Sequence, residues 1–238
     1  MHKNNAKCTK IAKLAAELVN FGYFSLTYLL RRGNGNRIGM HSVEEIESLF
    51  RRHGWVMRRS ELAQAGVHAC TLGRLMDEGL ILKPRTGYYL WAAEDGPDEL
   101  ALLLQVAPEG IVAMDSALSV YGYTDRVPNR WHLALPQNAN RSKYRHGYPP
   151  IQPYFLTPES LKLGATHARY QGHRIRVFDR ERTICDCISR RNRMDREVFV
   201  KAVRAYCEDP KRNIARLSDY AGKLGIRQPT MDIVGLWQ

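Results

Sequence analysis

Residues 42–91 read SVEEIESLFRRHGWVMRRSELAQAGVHACTLGRLMDEGLILKPRTGYYLW, and the order of signals within them decides the fold of the amino-terminal half. Ser42 with Glu45 is a capping box: the serine hydroxyl accepts from the Glu45 N–H, and the glutamate reaches back to the Ser42 N–H. A helix is expected from Val43. Val43, Ile46, Leu49 and Phe50 recur on one face, while Glu44, Glu45, Glu47, Arg51 and Arg52 stay outside and Gly54 marks the stop. After the apolar link Trp55-Val56-Met57, Ser60 is the next expected N-cap, opening a short helix through Ala65 that ends at a turn on Gly66. A longer helix is expected from about His68 to Glu78, with Leu72, Leu75 and Met76 packing inward beside Val67 and Leu80. Beyond Gly79, Ile81 to Trp91 reads as two strands around a turn that contains Pro84 and Gly87 and carries Lys83 and Arg85.

Three short helices followed by a basic hairpin are the pattern of a winged helix-turn-helix, assigned here to residues 41–93, and they make double-stranded DNA the first partner to consider. Arg58, Arg59 and Ser60 are the candidates for phosphates at the start of the middle helix. His68, Thr71 and Arg74 are the candidates for base edges and phosphates in the major groove. Lys83, Arg85 and Tyr88 would engage the backbone or minor groove through the wing. If about six of these neutralise phosphates, the log–log dependence of affinity on salt has a slope of about −5. Gly73 costs its helix roughly 1 kcal/mol relative to Ala. Two reasons for that cost stay open, close approach to a groove and tight contact with a neighbouring helix. A module of this kind also serves protein contacts; net charge weighs towards nucleic acid.

The chain has 238 residues, enough for two modest domains. Its 36 Lys and Arg against 24 Asp and Glu leave a formal charge of +12, which favours an acidic partner. Half of that excess lies in residues 1–40, where seven basic residues face Glu17 alone. The segment Leu14 to Leu30 is apolar but is broken by Glu17 and Asn20, lacks a small-residue cleavage site, and is too short and polar to span a membrane. Residues 1–40 are therefore expected to be a basic leader, either a poorly ordered extension or the product of an upstream start codon with Met40 as the functional start. Five cysteines, an odd number without a secretion signal, point to free thiols in the cytoplasm. Cys185 and Cys187 would sit about 200° apart on a helix and so cannot readily share an ion. No metal and no cofactor are expected.

Asp95-Gly96-Pro97-Asp98 is the expected linker to a larger domain over residues 98–238. A helix from Glu99 ends at Pro108-Glu109-Gly110, and Asp115 is the expected N-cap of a helix that Gly122 closes. Trp131 to Leu135 and Ile151 to Phe155 read as strands. A hairpin joined at Gln171-Gly172-His173 places Ile175 and Val177 inside and Arg174 and Arg176 outside. Asp179 caps a helix in which Arg182, Asp186 and Arg190 are spaced to pair. Two further amphipathic helices follow, so strands come early and helices late: an α+β domain with a small sheet and carboxyl-terminal helices. Arg190, Arg191, Arg193, Arg196, Lys201 and Arg204 fall together in this region, as a solvated face or as a surface for an acidic partner.

Three stretches resemble the AbiEi family, the antitoxin and repressor half of abortive-infection AbiE toxin–antitoxin systems. They are Asp115-Ser116-Ala117-Leu118-Ser119-Val120-Tyr121-Gly122-Tyr123-Thr124-Asp125, Val127-Pro128 ahead of the strand ending at Pro136, and Val177-Phe178-Asp179-Arg180-Glu181-Arg182-Thr183-Ile184-Cys185-Asp186-Cys187. The order of a winged helix followed by this domain also matches, over about residues 42–228. The resemblance implies a non-enzymatic antitoxin of a phage-defence system that binds inverted repeats in its own promoter and represses its operon. It also implies that the second domain counters a nucleotidyltransferase-like toxin without a stable complex, the type IV arrangement, and the cluster from Arg190 to Arg204 is the candidate antitoxic surface. Fold-level analogy alone carries that role. One alternative is a DNA-binding regulator whose second domain senses a ligand or a protein. A nuclease or nucleotidyltransferase would need clustered carboxylates for Mg²⁺. Asp115 and Asp179 read better as caps, Asp186 has arginine neighbours, and no Gly-rich phosphate loop is present. The oligomeric state is left open.

Overall fold

The computed structural model describes residues 37–38, 41–92 and 99–236, and the chain divides into two units at Pro97/Asp98. The expectations for the leader, for Met40 and for the linker at 95–98 lie outside the described residues. The exception is β1 (Arg37–Ile38), which pairs antiparallel with β2 (His41–Ser42). The described residues are mixed α and β with small sheets.

In the first unit α1 (Val43–Arg52) opens on the expected capping box, with Glu45 N–H to Ser42 Oγ at 3.2 Å and Ser42 N–H to Glu45 Oε2 at 2.9 Å. After β3 (Val56–Arg58) the chain enters α2 (Arg59–Gln64) at once, so Ser60 is not a cap but a residue of the first turn. The cause is the sheet: β3 stays paired as far as Arg58 opposite Tyr88, and Arg58 then takes the cap position with its N–H donated to Glu61 Oε2 at 2.7 Å. Gly66, at φ +78, turns the chain into α3 (Ala69–Asp77). The strands β4 (Ile81–Arg85) and β5 (Tyr88–Trp91) complete an antiparallel sheet in the order β3-β5-β4. Its register shifts between Leu82 and Arg85, where Pro84 has no N–H to give the ladder. Ile46, Phe50, Leu62, Leu72, Leu75, Ile81 and Trp91 form the core, with the Phe50 and Trp91 rings 5.5 Å apart. Met76 was expected inside, but it lies one residue and about 100° beyond Leu75 and is 37% exposed.

The second unit contains α4 (Glu99–Val106), β6 (Ile111–Val112), α5 (Met114–Tyr121), β7 (Trp131–Pro136), β8 (Ile151–Leu156) and α6 (Pro158–Lys162). Then come β9 (Ala165–Tyr170), β10 (His173–Phe178), α7 (Arg180–Ser189), α8 (Arg196–Glu208), α9 (Ile214–Lys223) and α10 (Arg227–Gly235). The five strands form one mixed sheet in the order β8-β7-β6-β10-β9, with β7–β8 and β6–β10 parallel. The β9–β10 hairpin turns on Gln171 and Gly172, both at positive φ, as a two-residue connection requires. Ile175 and Val177 are fully buried while Arg174 and Arg176 are exposed, as their alternation predicts. Ile184, Ile188, Ala202, Val203, Tyr206, Leu217 and Ala221 make the helical core.

Two helix starts in this unit differ in outcome. Asp179 caps α7, accepting the Arg182 N–H at 2.8 Å. Asp115 does not cap α5, because β6 delivers the chain to Ala113 in extended conformation and the helix begins one residue before the aspartate. Asp115 sits in the first turn instead, with Oδ1 buried and without a hydrogen-bond partner among the described residues. Within those residues no helix is long and apolar enough to cross a membrane.

Candidate nucleic-acid interface

The residues around the start of α3 converge from three elements. The Arg59 N–H donates to the Gly87 carbonyl at 2.8 Å, which ties the start of α2 to the β4–β5 turn. The Arg59 guanidinium reaches the Val67 carbonyl at 3.3 Å, directly before His68 at the cap of α3. Arg58 is exposed, with its guanidinium 5.8 Å from the centre of the Tyr88 ring. His68 makes no side-chain cap bond, so the first N–H groups of α3 carry no such acceptor and present a partial positive charge. Arg58, Arg59, Tyr88, His68 and this helix start are thereby held together by the sheet and by one bridging arginine. Ser60 is exposed on α2 beside them.

The outer face of α3 differs from the expected one. His68, Ala69, Cys70 and Arg74 are exposed and Gly73 is half-buried, whereas Thr71 is only 6% exposed and packs inward. The reason is spacing: Thr71 stands four residues before Leu75 on the same stripe. A Cβ added at Gly73 would meet nothing within 4 Å, so tight helix packing does not account for the glycine. The carboxyl-terminal end of the face is acidic, with Asp77 exposed and Glu78 3.8 Å from Arg74. On the hairpin, Lys83 is exposed over the Tyr89 ring at 5.9 Å, but Arg85 is 8% exposed and turned into the unit. The register shift at Lys83-Pro84 puts Arg85 directly opposite Tyr88.

The six basic residues of the second unit separate into three kinds. Lys201 is paired with Asp125 and Glu197, each at 3.2 Å, and Arg204 with Glu208 at 2.9 Å. Arg190 lies half-buried over Tyr154 at 4.9 Å. Arg191, Arg193 and Arg196 remain exposed, without an ion-pair partner among the described residues. Three of the acids that could hold a metal are otherwise engaged, and Asp115 is not. Asp179 caps its helix, Glu181 accepts the Asn213 N–H at 2.8 Å, and Asp186 pairs with Arg182 at 2.9 Å. Among the described residues no three His, Cys, Asp or Glu side chains come together as a metal site. Cys185 and Cys187 are both buried, and burial pushes the Cys185 thiol up to about 12.

The crystal structure of RV2827C protein from Mycobacterium tuberculosis is similar to this chain, with a TM-score of 0.60 at 16% sequence identity over 80% of this chain and 74% of that one. At that identity the likeness is one of fold. No protein-family model and no curated protein matches the chain. The sequence holds one further signal for the site, which the spacing of caps and apolar residues does not show. Arg59 stands eight residues before Val67 across the Gly66 turn, a reach a guanidinium spans only when the turn is tight.

Proposed function

We propose that this protein binds duplex DNA through its first unit, a winged helix-turn-helix, with the start of α3 entering the major groove and the β4–β5 hairpin as the wing. The observation that supports this most directly is the Arg59 bridge from the Gly87 carbonyl side of the hairpin to Val67, which sets Arg58, Tyr88 and the uncapped start of α3 side by side. Phosphate oxygens favour such a helix start, and arginine supplies a second, directional donor set. The small side chains at Ala69, Cys70 and Gly73 let the helix axis come close to base edges, leaving Arg74 as the long reader. The acidic far end of α3 restricts the approach to its first half. Arg85 and Thr71 have no part in this contact, and Arg58, Arg74 and Lys83 are its principal cations.

The AbiEi resemblance extends the proposal to a repressor of its own operon whose second unit acts as an antitoxin against a nucleotidyltransferase-like toxin. Its surface for that role is the trio Arg191, Arg193 and Arg196, since Lys201 and Arg204 are neutralised locally. A gel shift with the DNA upstream of the native gene tests the first part. Retarded migration at protein concentrations that leave random DNA free is expected, and equal affinity for both DNAs would contradict it. Co-expression with the neighbouring reading frame tests the second: growth rescued by the intact chain, and lost on replacing the three arginines with alanine, is the expected result.

A further inference from the structure

The second unit has a cleft of about 390 Å³ that neither the DNA-binding reading nor the 191–196 surface uses. It lies between β9, the end of α5, the start of α7 and the beginning of α9. Its volume falls within the roughly 300–1,000 Å³ of small-molecule sites. Four cations line it, Arg169, Arg180, Lys211 and Arg216, against two carboxylates, Asp179 and Glu181.

Both carboxylates are occupied from within the unit. Asp179 accepts the Arg182 N–H at 2.8 Å and the Tyr220 hydroxyl at 3.1 Å. Glu181, 1% exposed, accepts the Asn213 N–H at 2.8 Å and the Tyr206 hydroxyl at 3.4 Å. The cations are differently placed. Arg180 is pre-positioned by Asp209, which takes its Nε–H at 2.8 Å, and by Tyr121, over whose ring the guanidinium lies at 4.7 Å. Arg216 is 3.9 Å from Asp179 and 3.7 Å from Glu181, too long for a tight pair. Arg169 and Lys211 are exposed and have no side-chain partner among the described residues. With Asp209, the ion-pair partner of Arg180, included, the site carries an excess of one positive charge, on donors drawn from β9, α7, the segment before α9, and α9 itself.

We propose that this cleft binds the phosphoryl group of a small phosphate monoester, a ligand of nucleotide size or smaller. The negative charge of a phosphoryl group suits this excess, and its three oxygens match planar guanidinium forks and a lysine better than a single carboxylate would. The body of the ester would occupy the remainder of the cleft, along Tyr121 and β9. This site is independent of the DNA-binding proposal, because every residue in it belongs to the second unit.

Isothermal titration calorimetry of the full chain with AMP, adenosine and a single-stranded oligonucleotide bearing a 5′-phosphate tests the proposal. Saturable binding of AMP to one site, with a Kd of about 1 mM or lower, and none of adenosine are expected. Arg169→Ala and Lys211→Ala alter exposed, unpaired side chains and leave the fold intact. Each is expected to weaken AMP binding about tenfold, the worth of one charge-assisted hydrogen bond, while Arg191→Ala changes nothing. Adenosine binding as well as AMP, AMP failing to saturate, or both cleft variants binding like the wild type would overturn the assignment. Binding of the oligonucleotide that Arg169→Ala and Lys211→Ala both weaken, without binding of AMP, would also overturn it, by assigning the cleft to a nucleic-acid end.

Discussion

Arg182 is 1% exposed, and each nitrogen of its guanidinium has an acceptor: Asp186 at 2.9 Å, the Ser160 carbonyl at 2.8 Å, the Leu163 carbonyl at 3.1 Å and Ser160 Oγ at 3.2 Å. It clamps α7 to α6. Burial pushes the Asp186 carboxyl up, and the arginine beside it pulls the other way. Removing the arginine strands that carboxylate, so Arg182→Ala should cost about 3–5 kcal/mol of stability in urea unfolding. Gly164 is part of the same contact: at φ +76 its missing Cβ would come within 2.5 Å of Arg182 Cβ. The i,i+4 spacing of Arg182 and Asp186 was legible in the sequence, but the burial was not, because it depends on carbonyls of α6 some twenty residues away. Asp209 offers a second test. Burial alone would raise its carboxyl, but hydrogen bonds from Tyr123, the Lys211 N–H and Arg180 outweigh that and hold it at about 2. A carboxyl lowered in the folded state stabilises above its unfolded pKa of about 4 and loses that contribution as pH falls towards about 2. Asp209→Asn should therefore flatten the acid limb of the stability profile between those values, and an unchanged limb would show that the Asp209 contacts do not carry it.

At the scale of elements, the first unit was readable because its signals are local. The capping box at Ser42, the glycine turns and the hairpin each lie within a few residues of what they direct. The misplaced details arise where a partner strand decides. Ser60 is no cap because β3 stays paired to Arg58, and Arg85 stands opposite Tyr88 because β4 shifts register at Pro84. In the second unit the strands of the hairpin were clear from alternation. The mixed order β8-β7-β6-β10-β9 was not, since β6 contributes only two residues and pairs with β10 more than sixty residues away. The cleft was equally hidden, as its four cations come from separate elements and no spacing links them. Gly73 gives the sharpest test at this scale. Open space surrounds the position of its absent Cβ, so Gly73→Ala should raise stability by up to about 1 kcal/mol, the helix-propensity gain. The same methyl should weaken DNA binding severalfold if α3 lies in the groove. A variant that is more stable and binds DNA as before would remove α3 from the interface.

Across the whole molecule the charge is unevenly shared. Residues 42–92 have seven Lys and Arg against six Asp and Glu, while residues 99–236 have 22 against 14. On the proposed reading, the contribution of residues 42–92 to DNA affinity rests on where their few cations stand and on the helix start they surround, while residues 1–40 hold half of the chain's net charge. With Arg58, Arg74 and Lys83 as phosphate contacts, residues 42–92 contribute a log–log salt slope of about −3, shallower than the −5 expected from the sequence. The decisive measurement is the salt dependence of full-chain binding to its upstream DNA, by fluorescence anisotropy, for the wild type and Arg58→Ala. The variant is expected to bind more weakly, with a slope less steep by about 1, because one fewer phosphate is neutralised. Identical affinity and identical slope for the two proteins would contradict it.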